Sequence, residues 1–280
     1  MSHNVDYSKT LRTLSLCTGY GGIEIGLSRI GVHCKPVAYV EIEAYAVENL
    51  ASKIEARQMD PAPIWSDVTT FDFERFRGCV DFIVGGYPCQ PFAKCGRRDG
   101  ANDERHLWPY IANGIRILRP RLVFFENVEG HVSMGLRDVL SDLAGMDYRT
   151  TFGLFSAAEC GAPHIRQRVF VLGNADGARL EGWNGGNVSQ RLRERFARSS
   201  NSWPARRGQN QFKWERPRKT VGGLGRTVDG RSDELDRIDR LRLLGNGVVP
   251  DVAALAFVTL YNELLEYESL NRELSRDRRD

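Results

Sequence analysis

The sequence predicts a doubly wound α/β fold on a mostly parallel sheet, with a small, irregular, basic second region. Three observations carry this prediction. Short apolar runs alternate with helix-like stretches through residues 1–173. A glycine turn, TGYGG, stands between the first apolar run and the first helix-like stretch. From residue 174 the texture changes to polar, Gly-rich and Arg-rich pieces with little periodicity.

Taken in order, TLSLC (13–17) reads as a strand, TGYGG as a tight turn, and IEIGLSRIG as a helix closed by Gly31. VAYVE (37–41) is a second strand, followed by a helix through EAYAVENLASKI. After IWSDV comes DFIVGG (81–86), a buried strand stopped by glycines. WPYIANGIRILRP reads as a helix, LVFFENV (122–128) as a strongly buried strand, and RVFVLG (168–173) as a further strand. A helical pattern returns in DELDRIDRLRLLG, and DVAALAFVTLYNELLEYESLNREL is a long amphipathic helix. The expected organisation is one domain from 1–173 plus 245–280 and a second region at 174–244.

Charge is unevenly placed. The net charge is +3, yet residues 174–231 hold 13 Lys/Arg against 5 Asp/Glu, a local excess of +8 that leaves the rest at −5. Trp183, Trp203 and Trp214 lie in that stretch with Phe196 and Phe212. Cations interleaved with aromatics suit a nucleic-acid surface, since phosphates attract the former and bases stack on the latter. A merely solvated basic insertion is the alternative. Six cysteines form no CxxC pair, which argues against structural zinc and for reduced thiols. No stretch approaches the length of a membrane span, and MSHNVDYSKT lacks the apolar core of a signal peptide. A cytoplasmic location follows as the expectation.

Candidate site residues sit where strands end. Gly19, Gly21 and Gly22 form the turn that cradles nucleotide-like cofactors, although Glu24 stands where a dinucleotide fingerprint requires its third glycine. Glu41 ends the second strand, where a carboxylate can hold two ribose hydroxyls, and Asp67 in SDV can reach an adenine amino group. Each acid reads equally as a helix cap or a solvated loop charge. Cys89, framed by Pro88 and Pro91, is either a thiol facing a ligand crevice or a small buried hydrophobe.

The pieces LCTGYGGIEIGL, VEIEAYA, SDV, GGYPCQPFAKCGRR, FFENVEGH, GAPHIRQRVFVLG and GNGVVPDVA occur in this order. With them the sequence resembles the cytosine-C5 DNA methyltransferases, over most of 13–173 and again at 239–260. The resemblance implies the S-adenosylmethionine-dependent methyltransferase fold, S-adenosylmethionine as cofactor, S-adenosylhomocysteine as product, and no metal. It implies Cys89 as the nucleophile that adds to the cytosine ring, and Glu126 as the carboxyl on the base edge. It also implies Arg166 and Arg168 as arginines that bind the base carbonyl and organise the site. The implied cofactor set is Cys17, Gly19, Tyr20, Gly21, Gly22, Glu41, Ile42, Asp67, Val68, Pro88, Asn246 and Val248.

Ring carbon 6 is out of reach inside a duplex, so the target cytosine must leave the stack. Residues 93–105 resemble the family's mobile DNA-facing loop. There Arg97 and Arg98 read as phosphate contacts or as solvated loop cations. Gln90 can fill the space a flipped base leaves, and Arg226 in GRTVDG either reads bases or sits in a plain turn. Four positions depart from the family pattern: Cys17 replaces an aromatic, Tyr87 a proline, His164 a glutamine and Gly247 an Ala or Ser. The implied partner is duplex DNA, bound by a monomer in the nucleoid of a bacterial or phage-infected cell, with a cognate restriction nuclease possible. A tRNA cytosine methyltransferase and an inactive DNA-binding protein are the rival readings.

Overall fold

The protein's structure is a computed structural model that describes residues 10–88, 107–175, 185–198, 210, 213 and 245–277. Seven strands form one sheet in the order β3-β2-β1-β4-β5-β7-β6. They are β1 (Leu11–Leu16), β2 (Cys34–Val40), β3 (Ile64–Trp65), β4 (Phe82–Gly85), β5 (Leu122–Val128), β6 (Tyr148–Ser156) and β7 (Gln167–Ala175). The first five are mutually parallel, while β7 runs antiparallel to both β5 and β6.

Period-two alternation explains why both faces are covered. On one face Phe82, Val84, Leu122, Phe124, Phe170 and Leu172 join a core with α1 (Gly22–Arg29), α5 (Gly185–Arg198) and α6 (Pro250–Asp277). Their strand neighbours Ile83, Val123, Phe125, Val169 and Val171 face the other way. These pack against α3 (Trp108–Leu118) and α4 (Leu136–Gly145). A strand buried on both faces reads as a continuous apolar run, as FIVG and LVFFENV do. Helix α2 (Ala44–Glu55) closes a smaller cluster of Tyr39, Leu50 and Met59.

Helix α6 holds the first face together. Phe257 is fully buried, its ring centroid 5.3 Å from that of Phe124, 6.0 Å from Phe82 and 5.8 Å from Tyr261. Glycines let α1 lie close to the chain entering α6. A Cβ on Gly22 would stand 2.2 Å from the Val248 carbonyl oxygen, and one on Gly26 would stand 2.4 Å from that of Pro250. Arg29 and Asp251 then pair at 2.7 Å across the same contact.

The five apolar strands, the first three helices and the terminal helix fall where the sequence predicts them, within a few residues at each end. Four elements were not foreseen: the short edge strand β3, α4, the edge strand β6, and α5. The last lies in the stretch read as having little periodicity, yet its Leu192 and Phe196 are buried in the same core as α6. Asn262 of α6 also donates to the Ser189 hydroxyl at 3.1 Å. The helix predicted within 233–245 lies outside the described residues, apart from Gly245.

Candidate active site

β1 is flanked by β2 on one side and β4 on the other, so chain order reverses there. Ligands of doubly wound sheets bind in the crevice beyond the carboxyl ends of the strands at such a reversal. A cavity of about 990 Å³ occupies this place. Of the residues expected to hold a cofactor, Cys17, Gly19, Glu41, Ile42, Asp67, Val68, Pro88 and Asn246 line it, as do Glu126 and Arg168. Tyr20, Gly21, Gly22, Val248 and Arg166 do not. Cys89, Gln90, Arg97, Arg98 and Arg226 lie outside the described residues.

The wall on the β1–β2 side is held by Glu41. Its Oε2 accepts the Gly19 N–H at 2.7 Å and its Oε1 accepts the Glu43 N–H at 2.9 Å, so one buried carboxylate joins the glycine turn to the start of α2. Gly19 and Gly21 both have positive φ, 57° and 79°, which glycine adopts without steric cost. No heavy atom lies within 4 Å of where a Gly19 Cβ would be. Asp67 Oδ1 accepts the Thr69 N–H at 2.8 Å and caps the short helix Val68–Thr70. The cap and the cavity position therefore coexist in one residue. Burial, with Glu41 and Asp67 nearby, pushes the Cys17 thiol up to about 12, so it stays protonated. An open glycine position beside two carboxylates, with exposed Ile42 at the lip, fits the adenosine part of S-adenosylmethionine.

Tyr20 of the expected cofactor set and Arg166, expected to bind the base carbonyl, act on the wall from behind. The Tyr20 hydroxyl donates to the Val248 carbonyl, and its ring lies under Lys53 Nζ at 4.8 Å. Arg166 Nη2 donates at 2.7 Å to the carbonyls of both Gly245 and Gly247. Side chains thus fix three carbonyls of the 245–248 segment, while Asn246 within it reaches the cavity.

The opposite wall carries a buried acid. Antiparallel pairing places Val128 of β5 beside Arg168 of β7, and Arg168 Nε reaches back to Glu126 Oε1 at 2.8 Å. Burial raises the Glu126 carboxyl to about 7, against the opposing pull of Arg168 and then Arg166. A raised value at this depth follows from lost hydration of the anion. Gly86 leaves room for this group, since a Cβ there would lie 3.1 Å from Glu126 Oε2. Such a carboxyl can donate a proton or hydrogen bond near neutral pH, and Arg168 can stabilise charge beside it.

Two features of the site were missed in the sequence. Asn127 Nδ2 donates to the Tyr87 carbonyl at 3.1 Å, and the Val128 N–H donates to Asn127 Oδ1 at 2.8 Å. The Tyr87 hydroxyl lies 3.1 Å from His131 Nε2. Asn127 was visible inside ENV, but nothing local marks a tertiary partner. Among the described residues no three His, Cys, Asp or Glu side chains cluster as a metal site requires. No helix among them is long and apolar enough to cross a membrane.

Comparison with known proteins agrees with this geometry. The chain is 32% identical over 164 residues to the type II methyltransferase M.NgoMIV of Neisseria gonorrhoeae, covering 57% of this chain and 50% of that protein. It is 30% identical over 168 residues to the orphan methyltransferase M.SPRI of Bacillus phage SPR, covering 58% and 37%. The chain thus spans half or less of the length of these curated relatives. Among solved structures, a DNMT2 mutant of Spodoptera frugiperda aligns with a TM-score of 0.51 at 20% identity, over 60% of this chain and 50% of that one. Dnmt2 of S. pombe aligns at 0.50 and 22%, over 59% and 51%. These two structures establish the shared fold. The family model for C-5 cytosine-specific DNA methylases matches residues 11–222. The chain belongs to the C-5 cytosine-specific DNA methylase family.

Proposed function

We propose that the protein methylates carbon 5 of a cytosine flipped out of duplex DNA, through a transient bond between Cys89 and ring carbon 6. The observation that carries this reading is the ion pair of buried Glu126 and partly buried Arg168, in the cavity that Glu41, Asp67 and Gly19 line from the other side. A protonated carboxyl and a guanidinium together suit a neutral heterocycle that gains electron density during reaction.

In this reading Gly19, Glu41, Ile42, Asp67 and Asn246 hold S-adenosylmethionine. Bound there, S-adenosylmethionine supplies a methyl group activated by its positive sulfur. Cytosine carbon 5 is a poor nucleophile until a thiolate adds at carbon 6. Addition of Cys89 breaks the ring double bond and moves an electron pair toward ring nitrogen 3 and carbon 5. Glu126 donates its proton or a hydrogen bond to nitrogen 3, so the ring avoids a full negative charge. Arg168 faces the base carbonyl and keeps Glu126 oriented. Once carbon 5 has bonded the methyl group, its proton passes to water and the freed electron pair restores the ring double bond. The carbon–sulfur bond breaks, Cys89 leaves as thiolate, and the nitrogen 3 proton returns to Glu126. A free thiol is only a few per cent ionised at neutral pH, so this step depends on how the chain after Pro88 is held.

The basic stretch 174–244 is proposed to carry DNA recognition, with α5 anchoring it on α6. Contacts there to phosphate make binding salt-sensitive and sequence-blind, and a few base-edge contacts supply specificity. The test is expression in a cell lacking cytosine methylation, followed by methylation-sensitive sequencing. 5-Methylcytosine confined to one short context supports the reading. Soluble protein that binds S-adenosylmethionine yet leaves DNA unmodified contradicts it and directs attention to tRNA.

A further inference from the structure

We infer that the buried Tyr87–His131 pair is a positioning device for the residue that carries the nucleophilic thiol, an inference that rests on the proposed function. Tyr87 lies two positions before Cys89 and is joined to it through Pro88 alone. Its side chain and its carbonyl are both held. The hydroxyl meets His131 Nε2 at 3.1 Å, and the carbonyl accepts from Asn127 at 3.1 Å. The ring packs edge-on against Phe125 at 5.8 Å and tilted against Trp108 at 5.5 Å. Trp108 is itself tied to α4, because its Nε1 donates to Asp142 at 2.7 Å.

His131 is equally constrained. It lies in the short helix Glu129–Ser133 directly after β5, bonds the Met134 backbone, and is buried. Burial lowers its pKa below the ordinary value, so the ring is neutral at neutral pH and Nε2 can accept the tyrosine proton. Gly135, with φ 119°, passes so close that a Cβ there would lie 3.1 Å from His131 Cε1. Two bonds from one short segment, Asn127 to the backbone and His131 to the side chain, fix the direction in which the chain leaves β4. Pro88 allows one φ only, which removes one backbone freedom between Tyr87 and Cys89. A pre-oriented thiol needs no reordering when the base arrives, which lowers the barrier without tightening substrate binding.

The test compares Tyr87→Phe, His131→Phe, the double variant and His131→Gln. The expected result is a fall in kcat of about fivefold in each of the first two, the size of one neutral hydrogen bond. KM for DNA and Kd for S-adenosylmethionine stay unchanged. The double variant falls no further than either single one, and His131→Gln, which keeps a neutral acceptor, restores most of the rate lost in His131→Phe. Additive losses, or a full rate in Tyr87→Phe, overturn the inference. Alkylation of Cys89 by iodoacetamide, read by peptide mass spectrometry with exposed Cys79 as internal reference, needs no DNA. If the wild type transfers no methyl group, the proposed function falls, and the alkylation rates still decide the pair. The same non-additive change in Cys89 labelling supports it, and an unchanged rate in Tyr87→Phe overturns it.

Discussion

Arg168 Nε stands 2.8 Å from Glu126 Oε1, and the two sit on neighbouring antiparallel strands. An arginine this close would ordinarily hold a carboxyl well below its usual range. Here burial is the larger effect and Glu126 rises to about 7. An acid so placed is poised between donor and anion at neutral pH. The methylation rate should therefore fall on the alkaline side as Glu126 loses its proton, with an apparent value near 7. Glu126→Gln should lower kcat by about 10²–10³-fold, as loss of one preorganised donor does, and should abolish that limb. A pH–rate profile with the same alkaline limb in both proteins contradicts the assignment.

The same shift has a consequence for stability. The folded state binds the Glu126 proton more tightly than the unfolded chain, whose carboxyl titrates near 4.5. Its contribution is fully present below that value and is lost as pH rises toward about 7. Over this window wild type should lose about 3 kcal/mol relative to Glu126→Gln. Thermal unfolding of both proteins from pH 5 to 8 checks the sign: the Tm difference should move steadily in favour of the variant. Parallel curves would show that Glu126 titrates normally.

Arg166 and Arg168 should separate in their effects. Arg166 turns its Nη2 to the Gly245 and Gly247 carbonyls, behind the cavity wall. Arg166→Ala should weaken S-adenosylmethionine binding by about tenfold or more, given ~1.5–3 kcal/mol for a hydrogen bond to a charged group. Arg168→Ala should leave cofactor affinity intact and depress kcat. Calorimetric titration with cofactor alone distinguishes the two, and equal weakening in both variants would count against the division.

Close packing of α1 on the 248–250 segment predicts intolerance of a single methyl. Gly22→Ala must displace the Val248 carbonyl, and should cost about 1–3 kcal/mol as overpacking does. Phe257→Ala, which empties the centre of the α6 contact, should cost about 3–5 kcal/mol. Denaturant melts measure both. A neutral Gly22→Ala would mean that this contact is looser than its geometry.

Much of this architecture was legible because fully buried strands are continuous apolar runs. FIVG and LVFFENV admit few other readings. β6 was not, since YRTTFGLFS is an edge strand with one partner, and half-exposed Phe152 and Leu154 give it no consistent burial rhythm. α4 has a helical stripe in Leu136, Val139, Leu140 and Leu143, diluted by the polar residues between them. In α5 three apolar residues, Val188, Leu192 and Phe196, are spaced four apart among arginines, and composition hid them. At the site, Glu41 was visible as an acid at a strand end, and Glu126 only through the family resemblance of ENV. The roles of Arg166, Asn127 and Tyr87 depend on partners 40 to 81 positions away, and no local pattern encodes those.

The central claim is a covalent route through Cys89, and trapping tests it most directly. Duplex DNA carrying 5-fluorocytosine at the target, incubated with protein and S-adenosylmethionine, cannot lose its carbon 5 substituent and so cannot release the enzyme. Wild type should yield an adduct that survives SDS, and Cys89→Ser should yield none. An adduct that persists in Cys89→Ser, or its absence from wild type that methylates normal DNA, would contradict the account.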